Sequence, residues 1–125
     1  MLIAGSLPFV TMDPFGRFLI AMGYPEASIR DPHSGALSLS GYEDGAKLAG
    51  MVAWYYERDG MAPILIGHSR GGMLVMRVLH ELAGDFHDTV TVYDPERDEA
   101  LARTTIVDPV TGAVRPVIGI PVAYA

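Results

Sequence analysis

An apolar run, Ile64-Leu65-Ile66, leads directly into Gly67-His68-Ser69-Arg70-Gly71-Gly72 and then into a helical pattern, so a G-x-S-x-G sequence stands where a strand hands over to a helix. Few short sequences constrain a backbone so tightly. A serine on such a turn is held in a strained conformation, its hydroxyl projects from the strand end, and the next helix offers free N–H groups. The glycines at 67 and 71 have a mechanical reason: side chains there would collide with the neighbouring strand and helix across so sharp a bend. Ser69 is therefore the candidate nucleophile, and Gly67, His68 and Gly71 complete the elbow. The competing reading is a structural βα turn in which Ser69 caps the following helix, a role that serine fills well.

Periodicity along the rest of the chain alternates strand and helix. Leu2 to Ala4 is a short strand, and Gly5 to Thr11 is a loop. Asp13-Pro14 then opens a helix that runs to about Met22 and stops at Gly23. Ala27 to Arg30 reads as a second strand, and Asp31 to Gly41 as a polar loop. Ser40 with Glu43 forms a capping box for a helix carrying Leu48, Met51, Val52 and Tyr55. Ala62 to Ile66 is the third strand, and Met73 to Ala83 is the helix after the elbow, with Leu74, Val78 and Leu82 on one stripe and Gly84 ending it. Asp88 to Tyr93 is the fourth strand. Such alternation predicts an α/β fold, a mostly parallel sheet with helices on both faces. After Asp94 come a solvated charge run including Asp98-Glu99 and two β-rich segments, Thr104 to Val107 and Ala113 to Ile118, joined by Asp108-Pro109-Val110-Thr111-Gly112 as a hairpin-like excursion. Residues 1–94 read as the core, and 95–125 as an excursion of the same domain.

The 125 residues carry a net charge of −6 and no Lys/Arg cluster, which argues against nucleic acid as a partner. Without cysteine there is no disulfide, thiolate metal site or Cys nucleophile. No signal peptide is visible and no apolar stretch approaches the roughly 20 residues of a membrane span. The expectation is a soluble protein, cytoplasmic by default. The chain closes on an apolar run, Val122-Ala123-Tyr124, as a chain cut short would.

The order of elements and the elbow together resemble the α/β-hydrolase fold family, in its lipase and esterase-like branch, from Met1 to roughly Asp94. Leu65-Ile66-Gly67-His68-Ser69-Arg70-Gly71-Gly72 is the most specific part. The resemblance implies that Leu2 to Pro8 corresponds to the oxyanion loop, so the backbone N–H of Arg70 and that of Ser6 or Leu7 would stabilise the charged carbonyl oxygen, at about 3–4 kcal/mol per donor. It also implies an acid and then a histidine after the serine. Asp94, at the end of the strand after the elbow helix, stands where some lipases place the acid; a turn aspartate before Pro95 is the alternative.

No histidine of this chain fits the base. His80 lies eleven residues beyond Ser69, roughly 16 Å along a helix axis. His87 leads into the next strand at the wrong edge, His33 is a solvated loop residue, and His68 has a packing role. His80-Glu81 begins a metalloprotease-like H-E-x-x-H, yet position 84 is glycine, so no metal or cofactor is expected. Trp54-Tyr55-Tyr56 and the seven methionines read as core filling. The implied function is a serine hydrolase that cleaves a small-molecule ester or lipid through an acyl-enzyme on Ser69, in a chain lacking the strands that would bring its histidine. The alternative is an inactive remnant or binding module of the same fold.

Overall fold

The computed structural model describes residues 1–125. In chain order the elements are β1 (Leu2–Ile3), α1 (Asp13–Ala21), a single 3-10 turn (Glu26–Ser28), α2 (Gly45–Asp59), β2 (Ile66–Gly67), α3 (Arg70–Ala83), β3 (Tyr93–Asp94), β4 (Glu99–Ala100), β5 (Thr105–Val107) and β6 (Val114–Pro116). The strands form three separate pairs. β1 and β2 are parallel, with Leu2 opposite Ile66 and Ile3 opposite Gly67, whereas β3–β4 and β5–β6 are antiparallel hairpins.

This corrects the expected mostly parallel sheet with helices on both faces. The alternating pattern implied that the strands would share one mostly parallel sheet, and two segments do otherwise. The segment 27–30 follows Pro25 into a 3-10 turn, and the chain meets β1 only later, through one parallel bridge between Leu39 and Ile3. The segment entering β3 does not pair with β2. It turns back at Asp94 to pair with β4, while a bridge between Tyr124 and Ile64 flanks the β2 side. Pro63 cannot donate to a ladder, and the N–H groups of Leu65 and Ala123 make the remaining bonds there, to Tyr124 and Pro63.

The helices follow their sequence signals closely at the C-terminal ends and less so at the starts. Gly60 and Gly84 close α2 and α3 in the left-handed conformation. The Ser40/Glu43 capping box does not open α2. Ser40 Oγ instead accepts from the Tyr42 N–H, and Asp44 caps the helix by accepting from the Ala46 N–H at 3.2 Å.

α2 and α3 pack on each other and on the strands around sixteen buried apolar residues, with Leu48, Val52 and Val78 fully enclosed. Ile106, Val117 and Ile120 of the last segment join the same core. Leu48→Ala would therefore leave a cavity costing about 2–5 kcal/mol. Trp54, Tyr55 and Tyr56 pack partly buried against this core. Met51 is a core methionine, but Met22, Met61, Met73 and Met76 are exposed, which corrects the reading of the methionines as core filling. No helix is long and apolar enough to cross a membrane.

Candidate active site at the elbow

At the end of the parallel pair the His68 N–H donates to the Ile3 carbonyl at 3.0 Å, and the backbone then reverses into α3. The reversal leaves no room for side chains at either glycine. A Cβ at Gly67 would come 2.3 Å from the Gly71 carbonyl, and one at Gly71 would come 2.2 Å from the carbonyl oxygen of Ile3. Both obstacles are backbone and cannot rotate away.

Between these glycines Ser69 adopts φ 55°, ψ −117°, a region that L side chains enter only under constraint. Its side chain makes no capping hydrogen bond to α3. The cap reading of this residue therefore fails: Ser69 stands at the N-cap position, exposed, with its hydroxyl bonded to nothing in the protein. The Arg70 N–H likewise has no acceptor within the protein, while the next two N–H groups bond back to His68 and Ser69.

The loop after β1 comes to the same place. A Cβ at Gly5 would lie 3.3 Å from Ser69 Cβ and 3.2 Å from His68 Nδ1. Ser6 and Leu7 follow directly, and neither N–H donates within the protein. A third segment closes the group, because a Cβ at Gly41 would lie 2.3 Å from the Ala4 carbonyl. Residues 4–7, 41–42 and 67–71 thus converge at one end of β1 and β2.

The acid and base candidates lie elsewhere or are engaged. Asp94 is buried, and its Oδ1 accepts from the N–H groups of Glu96 and Arg97 at 2.8 and 3.1 Å, which is turn chemistry. His33 Nδ1 lies 3.3 Å from the Glu96 carbonyl. At the far end of α3, His80 Nδ1 is 2.6 Å from Asp85 and His87 Nδ1 is 2.7 Å from the fully buried Glu81. No histidine nitrogen bonds Ser69. Nor do three His, Asp or Glu side chains gather anywhere as a metal site.

Two concave spaces lie elsewhere on the molecule and do not include Ser69. One, of about 220 Å³, is polar and lined by His33, Ser40, Glu43, Lys47, Tyr93 and Asp98. The other, of about 680 Å³, is apolar and lined by Leu19, Leu37, Met51, Tyr55 and Ile66 among others. Neither is lined by any of residues 67–72.

Sequence reasoning missed Tyr42 and the side chain of Arg70. Arg70 Nε donates to the Gly41 carbonyl at 3.0 Å, its guanidinium lies 4.2 Å from the centre of the Tyr42 ring, and Tyr42 Oη donates to the Ser6 carbonyl at 3.4 Å. Only Gly41 hinted at this contact, as a glycine beside an aromatic residue in a polar loop.

Comparison of the chain with protein-family models, with curated proteins and with solved structures gives no match in any of the three.

Proposed function

We propose that the chain is a serine hydrolase of the esterase type, similar in its elbow to the α/β-hydrolase family, which attacks a carboxylic ester through Ser69. The single observation carrying this reading is the backbone of Ser69 at φ 55° and ψ −117°, with its hydroxyl exposed and unbonded between two glycines that tolerate no Cβ. A turn needed only for structure would place glycine there at no steric cost.

In the proposed reaction Ser69 Oγ bonds to the ester carbonyl carbon, the carbonyl oxygen becomes an oxyanion, and collapse breaks the bond to the leaving alcohol. The N–H of Arg70 and that of Ser6 or Leu7 would receive the oxyanion. The serine proton passes to solvent, since no histidine nitrogen bonds Ser69, and water then hydrolyses the acyl-enzyme. Turnover by this chain is accordingly slow. What remains without a base is the contribution of oxyanion donors and binding, about 10³–10⁴ over water in comparable enzymes.

The test is p-nitrophenyl acetate. The expected result is slow nitrophenolate release with acetyl trapped on Ser69, both lost in Ser69→Ala. Release that Ser69→Ala leaves unchanged would overturn the reading. A second reading, a binding module without turnover, is favoured by the commitment of Asp94 to its own turn; it predicts no acetyl-Ser69 at any ester concentration.

A further inference from the structure

Three segments distant in sequence meet at the elbow, and two exposed side chains tie them together. The Arg70 guanidinium bonds the Gly41 carbonyl through Nε at 3.0 Å and lies over the Tyr42 ring at 4.2 Å. Tyr42 Oη in turn reaches the Ser6 carbonyl at 3.4 Å. Gly41 is itself pressed against the Ala4 carbonyl. The loop after β1 is thus held to the elbow at two points, Ala4 and Ser6, through one intermediate loop. Neither side chain is needed for burial, because Tyr42 is 64% exposed and Arg70 is also exposed.

A planar guanidinium does this better than an ammonium. It stacks its face on the ring while its edge donates to a carbonyl, two directions that a point charge does not fix at once. The contact fixes Arg70 relative to Ser6, and the backbone N–H groups of these two residues are candidate oxyanion donors. Donors act well only when held in place before charge develops, so a loop free to drift would weaken them even with both N–H groups present.

We propose that Arg70 and Tyr42 are positioning residues, a brace that sets the separation between the loop Gly5–Leu7 and the elbow and so pre-arranges the oxyanion donors. This inference rests on the acyl-transfer reading of Ser69, and two independent measurements separate the two.

The first reads geometry without chemistry. The chain has no cysteine, so Leu7→Cys with Met73→Cys, at positions 65% and 74% exposed, carries a unique pair of nitroxide labels. Electron–electron resonance should give one narrow distance distribution in the otherwise wild-type chain. Arg70→Ala and Tyr42→Ala should each broaden it and shift it to longer distance, Tyr42→Phe should do so less because the stacking survives, and Arg70→Lys should restore it only in part. Circular dichroism confirms that each variant is folded.

The second, on unlabelled chains, is the rate of Ser69 phosphonylation by a fluorophosphonate, in which the Oγ–P bond forms and fluoride leaves. Its phosphoryl oxygen occupies the oxyanion position. Arg70→Ala and Tyr42→Ala should slow the step about tenfold at saturating reagent, less than the 10²–10³ lost with a donor itself, with the half-saturating concentration unchanged. Unchanged distance distributions in both alanine variants would overturn the brace. Broadened distributions with unchanged rates would overturn the positioning role. Absence of phosphonylation at wild-type Ser69 would overturn the acyl-transfer reading and the positioning role with it, while the distances would still report whether the brace exists.

Discussion

Two residues other than glycine hold a positive φ, Ser69 at 55° and Asp98 at 54°, and they resolve the same local cost in opposite ways. Asp98 turns the chain between β3 and β4, and its carboxylate accepts the Tyr93 hydroxyl at 2.7 Å and lies 3.4 Å from Lys47 Nζ. The Tyr93 hydrogen bond and then the Lys47 charge hold its carboxyl below the usual aspartate range. Asp98 is strained, but its side chain builds the turn that strains it. Ser69 gains nothing comparable, since its hydroxyl is bonded to no protein group. Its conformation is imposed from outside, by the Gly67–Gly71 contact and by β1. The difference separates a turn made by its own residue from a turn made around a residue, and the second leaves a side chain free for chemistry.

The largest effect is expected where the enclosure itself is attacked. Gly67→Ala and Gly71→Ala each drive a Cβ into backbone at 2.3 and 2.2 Å, and should cost about 3 kcal/mol or more in urea unfolding. Gly72→Ala meets its nearest neighbour at 3.6 Å and should be neutral or stabilising by up to about 1 kcal/mol through helix propensity. Equal tolerance at all three positions would mean that the elbow is not enclosed, and the contrast with Asp98 would dissolve.

Glycine at the two strained positions sharpens the comparison. Ser69→Gly relieves the backbone and loses no bond, so it should stabilise the chain by about 1 kcal/mol. Asp98→Gly relieves the same φ but also removes the contacts to Tyr93 and Lys47, so its gain should vanish. Parallel urea titrations check both. A destabilised Ser69→Gly would show that the hydroxyl has a structural partner after all.

A smaller effect concerns pH, and it belongs to the side of the molecule where side chains build structure. Glu57 on α2 binds Arg103 at 2.6 and 2.9 Å and the Val107 N–H of β5. Burial raises its pKa, but the Arg103 guanidinium and the Val107 N–H outweigh burial and hold it below the ordinary glutamate value. A depressed folded pKa contributes stability that is fully present above the unfolded value and is lost as pH falls through the folded one. Stability should therefore decline below about pH 4, and Glu57→Gln should flatten that decline while lowering stability at neutral pH. An acid limb unchanged by Glu57→Gln would contradict this assignment.

The sequence was most legible where one residue type has one physical reason. Gly84 closed its helix as expected, the stripe Leu74, Val78 and Leu82 is buried, and Asp108 to Gly112 joins β5 and β6 in an antiparallel hairpin. Strand pairing was not legible, because a short apolar run does not state its partner. Val90 and Val92 are buried as alternation suggests, but the chain beyond them folds back at Asp94 instead of extending a parallel sheet. At the site the turn and its glycines were readable from spacing. The Arg70–Tyr42–Ser6 contact was not, since it joins residues 28 and 36 positions apart through exposed side chains with no periodicity.

The turn imposed on Ser69 leaves its hydroxyl without a protein partner. The most direct test is to treat the folded chain with a fluorophosphonate and map the modified peptide among its six serines. The expected result is a single phosphonyl adduct on Ser69, absent after urea unfolding and absent in Ser69→Ala. Modification spread over Ser6, Ser34 and Ser40 as readily as over Ser69, or the same modification in folded and unfolded chains, would contradict it.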